Sequence, residues 1–197
     1  FDTIFIMTGG GPGTQTYTAS YYLYTVGFSQ FPSLPRDIRQ KSNFRWAIGI
    51  DGRQSISLAC PQDPAWRAQV LKMYRTFARL KPARLWIDDD ARMTLRADLH
   101  SPCFCDVCLA TLAQGLSAPP STRADWVRGI MADRPNPVRN AWLEFQEKLE
   151  RELVAEWSRA VHEISPDTQM GFMFSPLEVH SAEGRRWETI LAALDTP

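Results

Sequence analysis

The chain has 197 residues, 44% of them hydrophobic and 22% charged, enough for one ordinary domain with a real core. Its 22 basic and 22 acidic residues cancel, which excludes nucleic-acid or membrane-surface binding driven by bulk charge. Four cysteines are too few for a disulfide-dense scaffold, and no apolar run reaches the roughly 18 residues of a spanning helix. The chain starts at Phe1 rather than Met and stops just after an apolar helical pattern, Trp187 to Leu194, so both ends read as cut.

The first residues differ in character from the rest. Gly9, Gly10, Gly11, Pro12 and Gly13 form a loop between apolar and tyrosine-rich stretches. The loop lacks the Gly-Lys-Ser/Thr ending and the G-x-G-x-x-G spacing of phosphate sites. Phe1-Asp2, Ile4-Phe5 and Met7-Thr8-Gly9-Gly10-Gly11-Pro12, followed by Tyr22, Tyr24 and Phe28, resemble the inner-membrane permease subunit of sugar ABC transporters of the maltose-permease type. The resemblance covers residues 1–31 and implies a loop between two membrane helices. Pro32-Ser33-Leu34-Pro35-Arg36-Asp37 follows instead of a second long apolar stretch. Residues 1–36 are therefore expected to be a permease-like remnant or linker, unrelated to residues 37–197 and without stable membrane insertion.

From Phe44 onward, strands and helices alternate. Phe44 to Ile50 reads as a strand and Asp51-Gly52 as the turn after it. Asp63 and Pro64 suit the cap and first position of a helix, whose buried face is expected to carry Trp66, Val70, Met73, Tyr74 and Phe77. Lys81-Pro82 ends it. Arg84 to Ile87 is the next strand, and it runs into Asp88, Asp89 and Asp90. Helices are expected from about Asp106 to Gln114, from Ser121-Thr122 through Met131, and from Asn136-Pro137 to Ser165-Pro166. The last of these places Trp142, Phe145, Leu149, Leu153, Trp157 and Ile164 on one stripe. Gln169 to Phe174 reads as a third strand and Gly184 to Leu194 as a final helix. Strands separated by helices imply parallel crossovers. The expected class is α/β, either a piece of a (β/α)8 barrel with about three βα units or an open parallel sheet. Both put active residues at C-terminal strand ends, where Asp88, Asp89 and Asp90 stand.

The four cysteines carry the sharpest chemistry. Cys103, Cys105 and Cys108 form C-x-C-x2-C, and Cys60 closes the loop before the first helix. Thiolates suit a tetrahedral structural zinc, with Cys60 or His100 as the fourth ligand; the alternative is four buried free thiols.

Residues 44–174 resemble the catalytic barrel of glycoside hydrolase family 42, the β-galactosidases. The likeness lies in Cys60-Pro61 with Pro64-Ala65-Trp66-Arg67, in Trp86-Ile87-Asp88-Asp89-Asp90, and in Cys103-Phe104-Cys105-Asp106-Val107-Cys108. It implies a structural zinc on Cys60, Cys103, Cys105 and Cys108, and it aligns Asp88, Asp89 and Asp90 with the family's Asp-Asn-Glu, whose glutamate is the general acid/base. Asp90 would then be the proton donor, one methylene shorter than the family's residue. Retaining hydrolysis also needs a second carboxylate about 5–5.5 Å away. The family draws it from a later strand, beyond Pro197, and Glu178 and Glu183 do not match its motif.

Trp86 and Arg92 are candidates for sugar contact, through ring stacking and hydrogen bonding respectively. Arg96 and His180 are weaker candidates, and His162 reads as a packing or surface residue. The expected partner is a carbohydrate, with no nucleic acid, and the expected location of the barrel part is cytoplasmic. A truncated or divergent β-galactosidase-like enzyme, inactive as this chain, is the first reading. A sugar permease fragment and a non-catalytic glycan-binding barrel are its rivals.

Overall fold

Trp46–Ile48 forms β1 and Gln54–Ala59 forms β2, joined by a turn in which Gly52 takes a φ of 81° that a side chain would resist. The computed structural model describes residues 43–87, 103–174 and 184–194. The chain divides into two units, Phe1–Asn43 and Phe44–Pro197, and the elements below belong to the second. The permease-like residues 1–31 lie outside the described residues.

β1 and β2 pair antiparallel, Trp46 opposite Ala59 and Ile48 opposite Gln54, with an irregularity between. This corrects the reading of the stretch from the Asp51-Gly52 turn to Cys60 as a loop. Asp51-Gly52 is a hairpin turn rather than a strand exit, and Gln54 onward returns along β1. The hairpin is sealed by Gly49 N–H donating to the Arg53 carbonyl (2.9 Å) and by the Asp51 carboxylate accepting from Arg53 N–H (3.0 Å). Beside Arg53, the Asp51 carboxyl is held below its ordinary range, first by that backbone hydrogen bond.

Helix α1, Pro64–Ala78, starts as its sequence predicts. Asp63 accepts from Trp66 N–H (2.7 Å), and its other oxygen accepts from Arg45 N–H (3.1 Å), tying the helix start to the entry of β1. Met73 is a correction: it is 45% exposed, and Leu71 packs against the core instead. The helical stripe is rotated toward Trp66, Val70 and Tyr74 because α1 meets its neighbours there.

β3, Arg84–Ile87, and β4, Gln169–Phe172, pair in parallel through four residues each. Between them run α2 (Asp106–Ala113), α3 (Arg123–Ile130) and α4 (Pro137–His162). Thr122 caps α3 and Asn136 caps α4, each accepting from the N–H three residues on. After β4 comes α5, Trp187–Ala193. Among the described residues, β3 and β4 make one two-stranded sheet and β1 and β2 another. Of the expected common sheet of three parallel strands, the described residues show the pairing of two, β3 and β4, while β1 pairs with β2. The class is mixed α/β.

Ile87, Met170 and Phe172 face α1, α4 and α5 in one core, with Leu153, Val154, Trp157 and Val161 from α4. Tyr74 stacks on Trp157 at 5.3 Å between centroids. The other face of the sheet carries Trp86, 59% exposed, directly across from Gly171. A Cβ on Gly171 would stand 2.5 Å from the Trp86 ring, so the indole's approach requires glycine there. A second core joins α2, α3 and α4 through Phe104, Leu112, Trp126, Ile130 and Trp142. Between hairpin and α2 lies the third, built from the cysteines and Ala47.

Candidate metal centre

Each cysteine reaches the cluster for a local reason. Cys60 directly follows β2, and its N–H extends the ladder to the Arg45 carbonyl (2.7 Å). The Cys60 carbonyl then accepts from Asp63 N–H (2.9 Å), turning the chain into α1 and leaving the thiol inside the turn. Cys103 and Phe104 dock on β1: Phe104 N–H donates to the Ile48 carbonyl (2.8 Å), and Ile48 N–H donates to Cys103 Sγ (3.5 Å). Alternation along this extended segment sends Phe104 to the other side, where it stacks on Trp142 at 5.0 Å. Cys105 is the N-cap of α2 but makes no side-chain cap. Cys108 follows one helical turn later, so both thiols lie on one face.

The result is four buried sulfurs, all within 4.8 Å of one another, from residues between 0% and 4% exposed. Cys60 Sγ lies 3.6 Å from Cys105 Sγ and 3.5 Å from Cys108 Sγ. A disulfide needs about 2.05 Å, and all four cysteines are free. A tetrahedron of sulfurs about 2.3 Å from a central ion has edges of about 3.8 Å, close to the separations here. The residues therefore fit a metal ion, and Cys60, rather than His100, completes the described set. His100 itself lies outside the described residues.

Packing the thiols together also shifts their protonation. Hydrogen bonds with Cys103, Cys108 and Cys60 hold the Cys105 thiol well below the ordinary thiol range. The N-terminus of α2 also favours a thiolate at that position. Cys60 is pushed up, foremost by its hydrogen bonding with Cys103 and Cys105, and Cys108 is pushed up by Cys103, Cys105 and Cys60. Ionising all four thiols this close together is opposed by their mutual repulsion, which a divalent cation among them would relieve.

Sequence reasoning missed the groups around the sulfurs. Gln62 Nε2 donates to Cys108 Sγ (3.2 Å), and Thr111 Oγ1 donates to Gln62 Oε1 (3.1 Å). Only the closeness of Gln62 to Cys60 could have signalled the first. Arg185 and Glu150, both buried and paired at 2.8 Å, were also missed, since nothing in the helical pattern marks Glu150 as inward.

Of the other candidates, Asp88, Asp89, Asp90, Arg92, Arg96, Glu178, His180 and Glu183 lie outside the described residues. Described β3 ends at Ile87, the residue before Asp88. Trp86 stands on the exposed sheet face, packed over Gly171. A ring nitrogen of His162 lies 2.9 Å from the Thr168 carbonyl, a bond that helps close the turn between α4 and β4. Among the described residues, no helix is long and apolar enough to cross a membrane. Comparisons with protein-family models, with curated proteins and with solved structures find no match.

Proposed function

We propose that residues 44–194 form a zinc-clamped piece of a (β/α)8 barrel from a divergent glycoside hydrolase of the family 42 kind, addressed to β-galactoside-type carbohydrates. The observation that carries the metal part is the set of four sulfurs within 4.8 Å. Zinc is the ion this donor set favours, because all-thiolate tetrahedral sites suit a borderline-soft cation without geometric demands of its own. With every ligand position taken by protein, the zinc supplies structure and no open site for chemistry. It fastens the loop after β2 to the start of α2.

The carbohydrate part rests on the sequence resemblance. It is supported by the parallel pairing of β3 and β4 and by the position of Asp88, Asp89 and Asp90 directly after Ile87. Open α/β sheets and barrels both bind ligands at such strand ends. Asp90 is assigned the proton donor. Trp86 and Arg92 are assigned to the sugar. No carboxylate of the chain matches the family's nucleophile motif, so the chain by itself is expected to bind but not turn over.

Calorimetric titration with β-galactosides, alongside an aryl β-galactoside assay, tests this reading. Saturable binding that weakens in Asp90→Asn, without turnover, is the expected result. Absence of binding to any galactoside would remove the carbohydrate assignment, and turnover would remove the inactive one.

A further inference from the structure

Gln62 is half-buried beside the four thiols, and both ends of its amide are engaged. Nε2 donates to Cys108 Sγ at 3.2 Å, while Oε1 accepts from the Thr111 hydroxyl at 3.1 Å. Thr111 stands on α2, one turn beyond Cys108, and its hydroxyl also lies 2.9 Å from the Val107 carbonyl. The single hydroxyl proton is therefore shared between the Val107 carbonyl and Gln62 Oε1. A metal-bound Cys108 sulfur has no proton to give, so the amide nitrogen is the end that meets it and Oε1 is left facing the Thr111 hydroxyl. The flipped amide would set an oxygen lone pair against the sulfur's own.

A site of four thiolates and one divalent cation carries about two excess negative charges in a dry environment. Donors aimed at the sulfurs draw off part of that charge and steady the metal bonds. Cys103 has a backbone donor, Ile48 N–H, at 3.5 Å. Cys108 depends on a side chain. We propose that Gln62, oriented by Thr111, is the positioning residue that holds Cys108 in its metal-bound form and slows loss of the metal. This rests on the metal reading above and goes beyond it, because the four sulfurs alone do not require Gln62.

The test uses the full chain loaded with cobalt(II) or with zinc. Zinc transfer to an excess of chromophoric chelator gives a release rate, and the sulfur-to-cobalt charge-transfer band reports electron density on sulfur. Gln62→Leu keeps the bulk and removes the donor. It is expected to release zinc about 10-fold faster or more, in line with outer-partner losses at other metal sites. Its cobalt band is expected to move to longer wavelength, because sulfur lone pairs rise in energy without the N–H. Thr111→Val should move both readouts the same way by less, and Thr111→Ser should restore them. Wild-type release with an unmoved band in Gln62→Leu overturns the proposal. Faster release with an unmoved band also overturns it, since shielding alone would explain that. If Gln62→Leu fails to fold, the Thr111 pair decides, and equal behaviour of the Val and Ser variants overturns the proposal. A wild-type chain that takes up neither metal overturns the metal reading itself, and this inference with it.

Discussion

Asp63 decides by itself where two elements meet. Its carboxylate caps α1 at Trp66 N–H and holds Arg45 N–H at the entry of β1. Asp63→Ala gives up both bonds and should cost about 1–2 kcal/mol, read as a fall in the denaturant midpoint. Asp63→Asn, which keeps an acceptor for the cap, should lose less; equal losses would show that the cap is not what the carboxylate supplies. Gly171 is the other residue whose identity follows from one contact. A methyl there meets the Trp86 ring at 2.5 Å, so Gly171→Ala should destabilise by about 1–3 kcal/mol. Trp86→Ala in the same chain should recover most of that loss. Additive losses in the double variant would contradict the contact. The cap was plain in the sequence, because an acid before a proline has few other uses at a helix start. The glycine was not, since its reason lies on a strand more than eighty residues earlier.

The hairpin of β1 and β2, the loop after it and α2 form the element that the metal would hold. Among the described residues, its local core apart from the four sulfurs is Ala47 with half-buried Ile48, Leu58, Val107 and Phe145. That is little apolar area for two segments so far apart in sequence. The core of β3, β4, α1, α4 and α5 is larger and holds no thiol. Chelating the metal should therefore speed amide hydrogen exchange first in β1, β2 and α2, while α4 from Leu149 to Val161 stays protected. Uniform loss of protection would mean that the metal supports the whole fold rather than this element.

Acid should act at the same place. In the metal-free cluster Cys60 and Cys108 have raised thiol pKa values and so carry protons at neutral pH. Metal binding displaces those protons, so affinity rises with pH and falls with acid. The logarithm of the zinc affinity should climb with pH near neutrality, with a slope of about two or more per pH unit, measured by competition with a chelator. A flat profile would mean that the thiols are already ionised without metal.

The helices of this region were legible from caps and periodicity, and Cys105 and Cys108 from their spacing. β2 was overlooked although Asp51-Gly52 marks a hairpin, because the strand-then-helix rhythm of the later chain was extended backward over Gln54 to Ala59. Met73 was misassigned because period alone cannot tell which edge of an apolar stripe meets the core.

At the scale of the whole molecule, two kinds of support divide the work. Aromatic packing, Tyr74 on Trp157 and Phe104 on Trp142, joins α1 to α4 and the segment before α2 to α4. The cysteine cluster joins the hairpin to the helices. Spacing in the sequence could nominate the four thiols but could not bring Cys60 to the others, since that depends on the β1–β2 ladder and on the docking of Phe104 against Ile48. The acidic triplet was legible only as a chemical possibility after a strand. Its role depends on groups that a strand pattern does not encode.

The central claim is that one zinc sits among four sulfurs, and X-ray absorption at the zinc edge on the purified full chain tests it most directly. The account predicts one zinc per chain with four sulfur neighbours at about 2.3 Å and no nitrogen or oxygen in the inner sphere. A spectrum requiring a nitrogen or oxygen ligand, or a chain that holds no zinc while its four thiols titrate freely, would contradict it.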